Sequence, residues 1–83
     1  MNVHVEVLRV LDETLGLGGR GAAFGRDTPL LGSLPELDSM AVLAILTGLE
    51  EQLGLSFDDG DVSGEVFESV GSLVDFVSAR VGG

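Results

Sequence analysis

An aspartate and a serine that follow one another, Asp38 and Ser39, are the residues with the clearest chemical potential. They stand at the end of a long connection and directly before an apolar run, which is where a helix typically begins. The first N–H groups of a helix lack partners and carry partial positive charge, so a phosphate on the Ser39 hydroxyl would be held favourably there. Asp and Ser are also common N-caps, so either residue could simply cap the helix.

Other catalytic chemistry has few residues to draw on. The chain has one histidine, His4, and neither cysteine nor lysine. Few groups therefore titrate near neutral pH. His4 lies close to the chain start, where a surface histidine without catalytic function is the ordinary case. We predict no catalytic residue and no enzyme activity.

Two loops have a composition typical of ligand binding but the wrong spacing. The acidic stretch 58–61 has Ser63 where a calcium loop needs its glycine, and Ser69 where it needs its glutamate. The glycine-rich stretch 16–25 is not followed by the lysine and hydroxyl residue of a phosphate-binding loop. We therefore predict no metal site and no nucleotide site.

The composition limits both the compartment and the partners. A chain of 83 residues can close one modest core, so residues 1–83 are predicted to form a single domain. The absence of cysteine favours a reducing, cytoplasmic setting. A net charge of -10 opposes binding to nucleic acid or an anionic membrane, favours basic protein partners, and favours a monomer through repulsion. The longest apolar run, residues 40–46, is too short to insert across a bilayer.

Apolar periodicity predicts helices at about 3–15, 38–53, 63–68 and 69–81, with Ser63 and Ser69 as caps of the last two. The connection between the first two helices is long, and its glycine-rich part, 16–25, is expected to be loosely held. Five apolar residues of this connection are expected to tuck under the helices: Phe24, Leu30, Leu31, Leu34 and Leu37.

The second helix has two apolar stripes. One stripe has the spacing of a core-facing surface: Val42, Ile45, Leu46, Leu49 and Leu53. The other lies on a different face: Met40, Leu43, Ala44 and Thr47. So short a chain has little material to bury both, so we predict that the second stripe contacts another protein. The alternative is that the long connection covers it.

Three motifs in this order resemble those of the acyl carrier and peptidyl carrier protein family. Residues 34–40, Leu-Pro-Glu-Leu-Asp-Ser-Met, resemble the family's modification motif. Residues 49–55, Leu-Glu-Glu-Gln-Leu-Gly-Leu, are similar to the end of its second helix, and residues 67–73, Phe-Glu-Ser-Val-Gly-Ser-Leu, to the start of its last. The resemblance covers about residues 3–81. It implies an all-α fold, a small four-helix bundle of three longer helices and one short helix, with a long loop between the first two.

The resemblance also implies a function. Ser39 would receive 4′-phosphopantetheine from coenzyme A through a phosphopantetheinyl transferase, with Asp38 contributing to transferase docking. The chain would then carry acyl or aminoacyl groups as thioesters and present them to a loading ligase, synthase or acyltransferase. The second stripe would be the partner surface, edged by acidic residues: Glu50, Glu51 and Glu65.

The chain departs from carriers of fatty acid synthesis in its second helix. Ala41 and Ala44 stand where those carriers usually have acidic residues, and Gly48 stands where the family often has alanine. These departures favour a specialised pathway, such as polyketide synthesis or another dedicated acyl transfer. Two alternatives stay open: a peptidyl carrier of a nonribosomal pathway, and an unmodified interaction module with the same fold.

Overall fold

Three α-helices and two 3-10 turns are present in the computed structural model, which describes residues 2–32, 37–58, 60 and 62–81. The α-helices are α1 (Val3–Leu15), α2 (Ser39–Leu53) and α3 (Val70–Val81), and the turns are Arg20–Ala23 and Gly64–Phe67. Within the described ranges the only β pairing is an isolated bridge between Pro29 and Ser69. The all-α prediction is therefore confirmed. No helix in these ranges is long and apolar enough to cross a membrane.

The ends of α1 and α2 follow from local sequence. The Asn2 side chain accepts a hydrogen bond of 3.2 Å from the Val5 N–H and caps the start of α1. Both helices end at a glycine in the left-handed region, Gly16 with φ 64° and Gly54 with φ 68°. Only glycine adopts this conformation without steric cost, so the two glycines fix where the helices stop.

The core lies between the three helices and is closed by parts of the connections. Its helical members are Val7, Leu8, Val10, Leu11, Ile45, Leu46, Leu49, Val70, Leu73, Val74 and Val77. Val10 is buried because it faces α2 at Gly48. A Cβ atom on Gly48 would lie 3.0 Å from Val10 Cγ1, so this glycine lets the two helices approach closely.

The glycine-rich segment after α1 is held in place, contrary to the expectation of a loose tip. The Asp12 carboxylate accepts hydrogen bonds from the N–H groups of Gly19 (3.2 Å) and Gly21 (2.9 Å). Leu17 is buried, and its N–H donates to the Asp12 carbonyl. A Cβ on Gly21 would lie 3.0 Å from Asp12 Oδ2, so the turn Arg20–Ala23 packs tightly on α1.

Residues 26–31, here called the strap, run antiparallel to residues 67–71. The Leu31 N–H donates to the Phe67 carbonyl at 2.9 Å. In the other direction, the N–H groups of Val70 and Gly71 donate to strap carbonyls at 2.9 and 2.8 Å. Those two amides belong to the first turn of α3 and have no acceptor within the helix, so the strap satisfies them.

An ion pair fastens the strap further along α3. Arg26 Nη2 lies 2.9 Å from Asp75 Oδ2, and this hydrogen bond and the charge of Asp75 raise the pKa of Arg26. Both side chains are exposed, so the pair adds little to stability.

The apolar residues of the long connection are buried unequally. Leu30 and Leu37 are buried as expected, and Phe24 is half-buried. Leu31 is 48% exposed, so the expectation that it tucks under the helices is wrong. It follows a fully buried leucine in an extended segment, where successive side chains point to opposite sides. Leu34 lies outside the described residues.

The region before α3 differs from the predicted short helix at 63–68. It forms a 3-10 turn over Gly64–Phe67, and the side chain of Ser63 makes no capping hydrogen bond. Ser69 caps α3 as expected, because its hydroxyl accepts from the Ser72 N–H at 3.2 Å. The Ser72 hydroxyl in turn accepts from the Ser69 N–H at 3.0 Å, which makes the cap reciprocal.

Candidate functional site

Asp38 caps the N-terminus of α2. Its backbone is extended, with φ -114° and ψ -174°, and its carboxylate Oδ1 accepts a hydrogen bond of 2.8 Å from the Ala41 N–H. Its carbonyl accepts the Val42 N–H at 2.9 Å, which opens the helical ladder. Of the two alternatives left by the sequence, Asp38 is thus the cap and Ser39 the first helical residue.

Ser39 is therefore left without a structural task. Ser39 is exposed, and its hydroxyl makes no hydrogen bond to any described residue. The N–H groups of Ser39 and Met40 also donate to no described residue, as expected for the first amides of a helix. The site combines an accessible hydroxyl with unsatisfied donors at the positive end of a helix of 15 residues.

An exposed apolar strip follows Ser39 along α2. Met40 is 76% exposed and Leu43 is 62% exposed, and Ala44 and Thr47 are also exposed. These four residues are called the α2 surface below. No acidic side chain lies in the first turn of the helix, so the carboxylate beside this part of the surface is that of the cap, Asp38.

The three acidic residues expected around this surface differ in their surroundings. Glu51 and Glu65 are exposed. Glu50 is half-buried, and its Oε2 accepts a hydrogen bond of 2.9 Å from the Phe57 N–H. This hydrogen bond fixes the segment that follows α2. In that segment the Phe57 ring packs against the Phe76 ring, with centroids 5.2 Å apart.

The geometry has a close counterpart among solved structures. The solution NMR structure of a holo acyl carrier protein from Nitrosomonas europaea matches with a TM-score of 0.92. The two sequences are 40% identical, and the match covers 100% of each chain. Neither a scan against protein-family models nor a search of curated proteins gives a match.

The chain belongs to the acyl carrier protein family. Members of this family are carriers and not enzymes, which agrees with the prediction from the scarcity of titratable residues. His4 lies in α1, half-buried. Among the described residues no group of three or more His, Asp or Glu side chains is arranged to hold a metal ion. Asp59 and Asp61 of the acidic loop lie outside the described residues.

Two features around the site of this acyl carrier protein were missed by sequence reasoning. The first is the strap, which anchors the chain shortly before it reaches Ser39; backbone hydrogen bonds leave no signature in side-chain types. The second is the task of Glu50, seven residues before its partner Phe57. The signal that the sequence offers for it is a glutamate one turn before the glycine that ends α2, Gly54.

Proposed function

We propose that this acyl carrier protein carries acyl groups as thioesters on a 4′-phosphopantetheine arm attached to the Ser39 hydroxyl. The observation that carries the proposal is the accessibility of that hydroxyl, because Asp38 and not Ser39 caps α2. The full-length match to a holo acyl carrier protein supports it. Aminoacyl groups are a second class of cargo that the same attachment would serve.

The residues around Ser39 suit a phosphodiester. The unpaired amides of Ser39 and Met40 can donate to phosphate oxygens, and the helix dipole favours negative charge at this end. The carboxylate of the adjacent Asp38 accepts a hydrogen bond from the Ala41 N–H, and no acidic residue follows in the first turn of α2. The bound arm would supply a terminal thiol, which this cysteine-free chain lacks.

Attachment needs a nucleophile from this chain and little else. The Ser39 oxygen forms a bond to the phosphorus nearest the pantetheine of coenzyme A, the pyrophosphate bond breaks, and adenosine 3′,5′-bisphosphate leaves. The proton of the hydroxyl must pass to a base. No described side chain is hydrogen-bonded to Ser39, so the base, and the metal ion that activates the pyrophosphate, belong to the transferase.

The α2 surface is our proposed docking site for the transferase and for the loading ligase, synthase or acyltransferase. Its exposed Met40 and Leu43 gain from burial against an apolar partner. Glu51 and Glu65 would attract basic partners at longer range. Asp38 stands at the edge of this surface and contributes its remaining carboxylate oxygen.

The first turn of α2 supports a specialised pathway over fatty acid synthesis. It has no acidic residue, so docking beside Ser39 depends more on apolar contact than on charge. Gly48, where the family often has alanine, sets the close contact of α1 and α2. A cytoplasmic monomer fits a chain without cysteine and with a net charge of -10.

Intact-protein mass spectrometry after incubation with coenzyme A, magnesium and a promiscuous phosphopantetheinyl transferase tests the attachment. We expect the wild-type chain to gain the mass of one phosphopantetheine and Ser39→Ala to gain none. Ser63→Ala is the matched control, because Ser63 is also exposed and its side chain caps nothing; it should be modified like the wild type. A wild type that stays unmodified while a reference carrier is modified would favour the unmodified interaction module.

A further inference from the structure

A groove of about 410 Å³ lies on the side of α1, and none of its lining residues belongs to α2. It runs between α1 and the turn Arg20–Ala23. Three apolar residues line it: Val5, Leu8 and Ala22. Val5 is 45% exposed, which is high for a branched aliphatic side chain in so small a protein.

The shape of the groove suits a length of polypeptide. Its lining residues on α1 lie between Val5 and Glu13, which corresponds to about 12 Å along the helix. That length accommodates about two turns of a helix laid alongside. α2 packs on another side of α1, where Gly48 meets Val10 and Thr14. A partner in the groove would therefore leave the α2 surface uncovered.

The charges around the groove favour a cationic occupant. Arg9 also lines it, but its guanidinium is paired with Glu6 at 3.1 Å. The Asp12 carboxylate accepts hydrogen bonds from the N–H groups of Gly19 and Gly21. Glu13 is exposed and has no hydrogen bond or ion pair with any described residue. The uncompensated charge at the groove is thus negative, as it is for the whole chain.

We propose that this groove binds a basic amphipathic segment of a partner protein. The segment places an aliphatic or aromatic side chain against Val5, Leu8 and Ala22, and a lysine or arginine beside Glu13. This second interaction surface goes beyond the carrier function, because it does not involve Ser39. It allows the carrier to be held by one partner while the α2 surface is presented to another.

An NMR titration of the 15N-labelled, full-length protein tests the proposal. The probe is a synthetic amphipathic peptide of about 15 residues with leucine on one face and lysine on the other; a second peptide has glutamate in place of lysine. We expect the lysine peptide to shift the amide signals of Val5, Leu8 and Ala22 with saturation, and the glutamate peptide to shift none of them.

Two pairs of variants separate the groove from general acidity. Ala22→Gln fills the groove without adding charge, whereas Ala23→Gln adds the same group at an exposed neighbour outside it. Glu13→Lys and Glu68→Lys make the same charge change at the groove and at an exposed position outside its lining. We expect about a tenfold loss of affinity for Ala22→Gln and for Glu13→Lys, and less than about twofold for each control.

Three outcomes would overturn the proposal. The peptide could shift the signals of Met40 and Leu43 instead, which would assign it to the α2 surface. The control variants could lose as much affinity as the groove variants, which would indicate binding by net charge alone. Groove signals could also shift with protein concentration in the absence of peptide, which would make the occupant a second copy of this chain.

Discussion

Either Asp38 or Ser39 could cap α2, and in the structure Asp38 is the cap. Asp38 has the extended backbone of an N-cap and uses its carboxylate on the Ala41 N–H. Ser39 is already helical, and its hydroxyl faces solvent. The sequence alone could not decide between them because both types are good caps. The choice depends on which residue takes the first helical φ and ψ, and it leaves the Ser39 hydroxyl free.

Replacing Asp38 should separate its structural contribution from its chemical one. Asp38→Ala removes the cap, and we expect it to lower the free energy of unfolding by about 1 kcal/mol in urea denaturation. Asp38→Asn keeps an oxygen for the Ala41 N–H, so its stability should stay close to that of the wild type. If Asp38→Asn is nevertheless modified more slowly at Ser39, the charge of Asp38 contributes to transferase docking. Equal stability of all three chains would contradict the capping role.

At the scale of elements, α2 has one face for the core and one for solvent, and its apolar residues alone do not reveal which is which. Leu46 is 9% exposed and Leu43 is 62% exposed, although both are leucines three residues apart. Two features determine which face of α2 packs on α1. One is the longer apolar stripe, and the other is Gly48, which leaves room for the Val10 side chain. The four residues of the shorter stripe are left at the surface.

The two leucines should therefore differ sharply when shortened. Leu46→Ala removes a buried side chain and should lower the free energy of unfolding by about 2 to 5 kcal/mol, a large part of the stability of a small domain. Leu43→Ala should change it by less than about 0.5 kcal/mol, because the residue is mostly in water. Denaturant unfolding of both variants provides the comparison. Equal losses would mean that the two faces of α2 are assigned wrongly.

The helices could be predicted from the sequence and the connections could not. Apolar periodicity and the glycines after α1 and α2 locate three helices, because these signals are local. The strap is recognised by its backbone pairing with residues 67–71, which no side-chain pattern encodes. The order of the glycine-rich segment depends on Asp12, whose carboxylate reaches Gly21 nine residues later. An aspartate in a helix facing a run of glycines is the signal that was available.

At the scale of the whole molecule, acidic side chains greatly outnumber basic ones. The chain has 14 Asp or Glu against 4 Arg or Lys. Two of the arginines, Arg9 and Arg26, are paired with carboxylates on their own chain. The remaining excess steers basic partners but also opposes folding through repulsion. Glu13 and Glu51 add to this cost because each lies in the last turn of a helix, where the dipole disfavours negative charge.

Neutralising these two carboxylates should stabilise the protein most at low salt. We expect Glu13→Gln combined with Glu51→Gln to raise the Tm by about 4 to 8 °C at 10 mM NaCl, from about 1 kcal/mol of relieved repulsion. The gain should shrink at 0.5 M NaCl, because salt screens exposed charges. Glu65→Gln removes one carboxylate away from the C-terminal end of any described α-helix, and it should raise the Tm less than either Glu13→Gln or Glu51→Gln alone. A gain that persists undiminished in high salt would point to side-chain packing rather than to charge as its cause.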